Sequence, residues 1–211
     1  MITTRATFAT ILLALLFPIS PLGSAQAQTI IDEWSSVRTP PAPGLKPISV
    51  DPRTTALLLL DFMNQNCSKR PRCVATIPTM KRLLGEARAA EVSVVYSVIA
   101  NTTTADVIAD VAPLPDESWV RSGPDKFFNT DLDKILKSKG IHTVIVTGTA
   151  SNGAVLFTAA GAAMRGMNVI APVDGMSAQD PFADLATAYT FANAPLLSTK
   201  LTLTKADMIK F

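Results

Sequence analysis

The chain has one histidine, two cysteines, and aromatic residues amounting to only 6% of its length. Each shortage closes off a class of function. With a single imidazole and no cluster of carboxylates around it, His142 does not suggest a catalytic zinc site. It stands at the amino end of an apolar run, at the opposite edge from the acidic residue considered below. That makes it a poor partner for Ser151 in a Ser-His-Asp relay. Lysines and arginines form no stripe and the formal net charge is only +2, so neither nucleic acid nor an anionic membrane is expected as a partner. No low-complexity tract or internal repeat is present. The apolar stretch Phe8 to Phe17 is too short to span a bilayer as a stable helix.

That stretch reads instead as the core of a secretory signal. Arg5 supplies the positive start, and Ala25-Gln26-Ala27 a small-x-small cleavage signature, so residues 1–27 are expected to be removed. An uncleaved N-terminal anchor is the alternative. Export places the chain in the periplasm or outside the cell, with no membrane attachment after cleavage. In that compartment Cys67 and Cys73 are expected to form a short disulfide. Closing so small a loop is worth roughly 2.4 kcal/mol on the chain-entropy estimate. A free, nucleophilic Cys67 near Asp61 is the other reading.

Residues 28–52 are rich in Pro, Ser and Thr, with Pro40-Pro41-Ala42-Pro43-Gly44, and read as an extended arm. Residues 53–211 then alternate between two periodicities. Continuous apolar runs at Ala56–Leu60, Val92–Val98, His142–Thr147 and Met167–Val173 predict strands buried on both faces, with Trp119–Arg121 and Leu197–Leu203 as shorter ones. Helical spacing predicts helices over Ile77–Ala90, Asn152–Arg165 and Phe182–Asn193. A further helix is capped by Thr130, carries the stripe Leu132, Ile135 and Leu136, and ends at Gly140. Asn101 to Asp116 reads as a polar loop. Strand–helix alternation with long crossovers predicts an α/β fold, a three-layer sandwich around a parallel sheet. Ligands in such sheets bind at the carboxyl ends of strands. Asp61, Arg121 and the turn at Gly148 all fall there.

Asp61 closes an apolar strand, where a partly desolvated carboxylate suits general acid/base work. It could equally start an Asx turn over the amides of Phe62, Met63 and Asn64. Arg121 could pair with Asp61 or clamp a substrate carboxylate, but it cannot shuttle protons. Lys126 lies nearby and is a second candidate cation. The run Thr143–Thr147 breaks at Gly148 and enters a helix of small residues, whose first amides lack internal partners and can hold an oxyanion. A nucleophile is sought at that helix start, and Ala154 stands there. Ser151 is the nearest hydroxyl, with no base beside it except Asp61.

Three stretches together resemble the isochorismatase-like superfamily, which includes nicotinamidases and other cysteine hydrolases. Ala56-Leu57-Leu58-Leu59-Leu60-Asp61-Phe62-Met63-Asn64 resembles the strand carrying Asp-x-Gln-Asn, with Met63 where Gln is usual. Phe127-Phe128-Asn129-Thr130-Asp131-Leu132 resembles Phe-x-x-Thr-x-Leu, and Gly148 to Ala159 resembles the entry into the nucleophile helix. The resemblance covers about Thr54 to Thr204 and implies a six-stranded parallel sheet with helices on both faces. It implies that Asp61 is the acid/base, that Arg121 stands at the lysine position with Lys126 as a displaced substitute, and that Ala154 stands at the cysteine position. It further implies an oxyanion turn of Ala150, Ser151 and Ala154, with a cis peptide at Ala150-Ser151. A methyl group cannot form an acyl-enzyme. The resemblance therefore leaves three readings. One is a hydrolase that works without covalent catalysis, as true isochorismatases do. The second is an inactive binding protein, and the third a cysteine hydrolase disabled by a Cys-to-Ala change at position 154. The pocket is expected to be lined by Phe62, Asn64, Trp119, Phe127 and Phe157 and to take a small planar acid or amide. No metal or cofactor is expected, and self-association is.

Overall fold

The computed structural model describes residues 29–211. The expected signal segment, 1–27, lies outside them. The chain divides into two compact units at the Thr39–Pro40 junction. In the first, the short helix α1 (Ile30–Glu33) opens at Thr29, whose backbone and hydroxyl both donate to the Asp32 carboxylate.

The second unit holds the sheet. It begins with β1 (Ile48–Ser49), then β2 (Thr55–Leu60), the long helix α2 (Pro71–Ala89), β3 (Ser93–Val98) and β4 (Ser118–Arg121). Helix α3 (Leu132–Ser138), β5 (Thr143–Thr149), α4 (Leu156–Met164), β6 (Asn168–Pro172) and β7 (Met176–Ser177) follow. The chain ends with α5 (Pro181–Asn193), α6 (Leu197–Lys200), β8 (Leu201–Thr204) and β9 (Ile209–Lys210). The main sheet runs β4-β3-β2-β5-β6-β8, with every pairing parallel, and the two-residue β7 adds a seventh strand beside the end of β5. The expected count of six thus holds for the main path and misses one. Two residues are too few to leave a periodic signal.

Strand β2 lies at the centre, and all six of its residues are buried. Its side chains alternate between two cores, as the period of a strand requires. Ala56, Leu58 and Leu60 face one core with Leu136, Ala159, Ala162 and Phe191, from α3, α4 and α5. Leu57 and Leu59 face the other with Met80, Leu83 and Leu84 of α2. These are the three expected layers. Each leucine so buried contributes about 1.5–3 kcal/mol.

Three boundaries differ clearly from the sequence reading. Helix α2 begins at Pro71 rather than at the expected Ile77, with the proline in the first helical turn. Residues Leu197–Lys200 form a helical turn, and the strand starts only at Leu201. The expected strand is short, and its leucines Leu197, Leu201 and Leu203 satisfy either periodicity, so packing of Leu197 into the core decides it. The helix after β5 opens as a wide turn over Ser151–Val155 before regular α-helix begins at Leu156. Thr130 does serve the start of α3, accepting from the Leu132 amide at 3.2 Å. Gly140, at φ 67°, ends the connection beyond it.

Candidate functional site

The carboxyl ends of β2, β3 and β5 meet where the chain must turn sharply. Gly148 pairs with Leu60 and has φ +134°; a Cβ there would lie 2.2 Å from the Leu60 carbonyl oxygen. Only glycine lets β5 pass so close to the end of β2. Asp61 follows at once with φ 58°, a left-handed conformation that aspartate tolerates better than most residues. The chain therefore leaves the sheet immediately after Leu60, with the carboxylate still beneath the strand ends.

Asp61 is buried, and both of its carboxylate oxygens are engaged by side chains. Its Oδ1 accepts from the Ser97 hydroxyl at 2.6 Å, and its Oδ2 from the Lys126 ammonium at 2.7 Å. The turn that follows is held by others: the Met63 amide donates to the Asp61 backbone carbonyl at 2.7 Å and to Asn66 Oδ1 at 3.3 Å. Asp61 is thus a paired buried carboxylate rather than an Asx-turn starter. Ser97 is found only by register, since it stands opposite Leu60 at the end of β3.

Lys126, not Arg121, is the cation on Asp61. It is wholly buried, and its Nζ also donates to the Gly123 carbonyl at 2.8 Å. Its backbone is held on both sides. The Lys126 amide donates to the Thr158 hydroxyl at 3.3 Å, and the Thr130 hydroxyl donates to its carbonyl at 2.5 Å. The two threonines come from the second and third of the stretches singled out in the sequence. Arg121 instead donates through Nε and Nη2 to the Thr102 carbonyl, at 3.1 and 2.6 Å, and lies 5.4 Å over the Trp119 ring. The reason is reach: Arg121 sits on the edge strand β4, separated from β2 by β3. The loop after β4 folds back to bring Lys126 inward.

Small-ligand sites enclose roughly 300–1,000 Å3, and a cavity of about 610 Å3 opens here. Asp61, Arg121, Ala150 and Ala154 line it together. The side chain at the start of the α4 turn is therefore in the same cavity as the acidic residue. Ala154 is 4% exposed, and its methyl is the only side chain the helix start presents at that position. The carbonyl of Ala150 accepts from the amides of Gly153 and Val155, at 3.0 and 3.2 Å, which curls the turn around the cavity. The cis peptide falls at Thr149-Ala150, one residue earlier than expected. Ser151 is fully buried and donates to Asp184 Oδ1 at 2.6 Å, away from Asp61; Asp184 is in turn paired with Arg72. Its hydroxyl is committed to α5.

None of the five residues expected to line the pocket does so. Phe62 is buried in the core under α2, and Phe127 in the other core beneath Arg165, whose guanidinium carbon is 4.4 Å from the ring centre. Asn64 is exposed, as are Trp119 at 41% and Phe157 at 51%. The lining is aliphatic and polar, including Ile99, Pro124 and Thr149, with Asn66 and Arg70 added from the loop after β2. A period-two or helical pattern says which residues are buried, not which cavity they border, and that is why the aromatics misled. The signal for Arg70 in the sequence is the basic run Lys69-Arg70-Pro71-Arg72. The three cations border one further cavity and form a local cluster rather than a stripe.

Cys67 and Cys73 form the expected disulfide, with a Cα–Cα distance of 5.2 Å and both residues fully buried. His142 is exposed at the amino end of β5, where its amide donates to the Thr54 carbonyl at 2.8 Å. Among the described residues no three His, Cys, Asp or Glu side chains are grouped to hold a metal ion. No helix among them is long and apolar enough to cross a membrane.

A central parallel sheet, a buried Asp–Lys pair at its carboxyl edge and a glycine turn opening a helix into the same cavity define a three-layer α/β protein with its ligand site at the strand ends. The profile of the isochorismatase domain matches residues 55–200, and the chain belongs to that family. It is 25% identical over 181 residues to a secreted isochorismatase effector of Verticillium dahliae, covering 79% of this chain and 95% of that protein. Solved structures share the fold. A cysteine hydrolase from Pseudomonas syringae pv. phaseolicola superposes with a TM-score of 0.67 at 23% identity, over 78% of this chain and 94% of its own. An N-carbamoylsarcosine amidase from Thermoplasma acidophilum gives 0.64 at 22% identity, over 73% and 97%. The nicotinamidase of Staphylococcus aureus gives 0.64 at 17%, over 72% and 99%.

Proposed function

We propose that the protein is an isochorismatase-family hydrolase that works on a small acid or amide by non-covalent acid/base chemistry through Asp61. The observation that carries this reading is the shared cavity: the paired carboxylate of Asp61 and the methyl of Ala154 line the same space. Ala154 stands where the family resemblance places a nucleophilic cysteine, and a methyl cannot attack a carbonyl. What remains is a carboxyl group able to give and take a proton. The step starts from the form of the site in which Asp61 carries a proton, which it gives to the substrate, most simply to the terminal carbon of a vinyl ether. The resulting carboxylate is stabilised where it stands by the Lys126 ammonium and the Ser97 hydroxyl. Water adds to the oxocarbenium ion so formed and gives one proton back to Asp61; the hemiketal then breaks its ether C–O bond, its hydroxyl proton passing to the departing alkoxide, so a ketone and an alcohol leave and the protein ends unchanged.

Arg121 borders the cavity and still carries its positive charge, which suits an anionic substrate. The planar shape expected of the substrate depended on aromatic walls that this cavity lacks, so size and charge now support the reading. We also propose that the protein is exported, supported by the disulfide and by the secreted relative.

Turnover of vinyl-ether acids and of small amides by the parent protein, Asp61→Ala and Ala154→Cys tests the assignment. The parent should hydrolyse one of these classes, and Asp61→Ala should lower kcat/KM by about 100-fold or more. An inert parent beside an active Ala154→Cys variant would sink it. The chain would then be a binding homologue or a disabled cysteine hydrolase.

A further inference from the structure

The Asp61 cavity has a positive wall that the acid/base reading does not use. Arg70 stands at the N-cap of α2, inside the ring closed by Cys67 and Cys73. It borders the 610 Å3 cavity, and with Asn66 it forms the wall shared with an adjoining cavity of 390 Å3. The charged residues lining that neighbour are Lys69, Arg70 and Arg72, with no carboxylate among them. Around the Asp61 cavity the charged lining is Asp61, Arg70 and Arg121. Asp61 is matched by Lys126, and Arg121 is bonded only to a neutral carbonyl. Arg72 is paired with Asp184, whereas Arg70 has no such partner among the described residues. Positive charge gathered on partly apolar walls raises the local concentration of anions.

The loop that carries Arg70 is fixed at three points. Both cysteines are buried against the core under α2, and Arg72 ties the loop to Asp184, which also holds Ser151 at the cavity turn. Holding a free loop in one conformation costs entropy for every residue ordered. A closed ring has already given up much of that freedom, so Arg70 is preorganised for a ligand.

We propose that Arg70 is a specificity-determining residue that contacts the acidic group of an anionic ligand in the Asp61 cavity, and that the Cys67–Cys73 disulfide positions it there. This shares with the proposed hydrolase the cavity as ligand site, but it does not require that Asp61 transfer a proton.

Calorimetric titration of the oxidised protein with benzoate and with benzamide, equal in shape and different in charge, tests it. Benzoate should bind at least about tenfold more tightly, the worth of one charge-assisted contact. Arg70→Gln should bring the ratio close to one, and Arg70→Lys should restore part of it. Lys69→Gln borders only the neighbouring cavity and should leave the ratio nearly unchanged, which separates a contact from a general field. In a Cys67→Ser/Cys73→Ser variant that keeps its circular dichroism, the ratio should fall as well, and Arg70→Gln should add little to that fall. Should that variant fail to fold, the Arg70 and Lys69 variants with the ring intact decide the contact. Equal binding of the two probes by the parent, or a full preference retained by Arg70→Gln, overturns the proposal. An inert protein with an Arg70-dependent preference for benzoate would remove the hydrolase reading and leave this one standing.

Discussion

Replacing Lys126 by methionine removes one charge from the most deeply buried ion pair among the described residues. The Lys126 and Asp61 side chains are 1% and 8% exposed, and their charged atoms are 2.7 Å apart. Methionine fills most of the volume of the lysine stem, so lost packing is a small part of the effect. What is left is a buried carboxylate whose only side-chain donor is the Ser97 hydroxyl. Breaking such a pair from one side costs about 3–5 kcal/mol. For a domain of this size, each kcal/mol moves Tm by about 2–4 °C, so Lys126→Met should melt roughly 6–20 °C lower. An internal comparison fixes the scale. Lys137 and Asp133 form an exposed pair, 67% and 33% open, and Lys137→Met should cost at most about 1 kcal/mol. Removing both charges, as in Asp61→Leu with Lys126→Met, should be less harmful than Lys126→Met alone, because no orphan charge remains. Scanning calorimetry at neutral pH on the oxidised protein gives all four values. If Lys126→Met shifts Tm no further than Lys137→Met, Asp61 and Lys126 are not coupled as described, and the site loses its electrostatic centre.

Gly148→Ala should destabilise the fold by at least about 2 kcal/mol, because the new Cβ meets the Leu60 carbonyl and φ +134° is strained for alanine; urea denaturation reads this. Cys67→Ser with Cys73→Ser should lower stability by roughly 2.4 kcal/mol, and a loss under about 1 kcal/mol would mean the ring constrains little in the unfolded chain. Acid should loosen the loop after β3. The Thr103 amide, followed by the Gln65 side chain, holds the Asp106 carboxyl below the usual carboxylate range. Since the folded state prefers the charged form, this contribution is complete above the ordinary carboxylate value, near pH 4, and fades as pH falls through the lowered one. Faster hydrogen exchange at the Thr103 amide in that acid range, absent in Asp106→Asn, is the expected signature.

Much of the scaffold was legible because it rests on periodicity. Continuous apolar runs marked β2, β3, β5 and β6 to within a residue or two at most ends, since strands buried on both faces admit no other composition. The cavity's main elements were also legible. Asp61, the Gly148 turn and Ala154 were placed together by the rule that parallel sheets gather ligands at their carboxyl ends. Finer assignments failed wherever a side chain's direction mattered. The residue facing Asp61 depended on how the loop after β4 folds back, and only four residues separate Arg121 from Lys126 in a segment without periodicity. The aromatic lining failed for the same reason, because Phe62 and Phe127 were correctly apolar but belong to the two cores.

By itself the sequence determined the layered parallel architecture and the absence of a thiol at the head of α4, and it favoured the pairing of its two cysteines. Those properties follow from residue type and local spacing, which a linear chain already contains. Only the tertiary structure decided which cation neutralises Asp61, what lines the cavity and where Arg70 stands. These are contacts between segments far apart in the chain, and their distances exist only once the two cores have packed against the sheet.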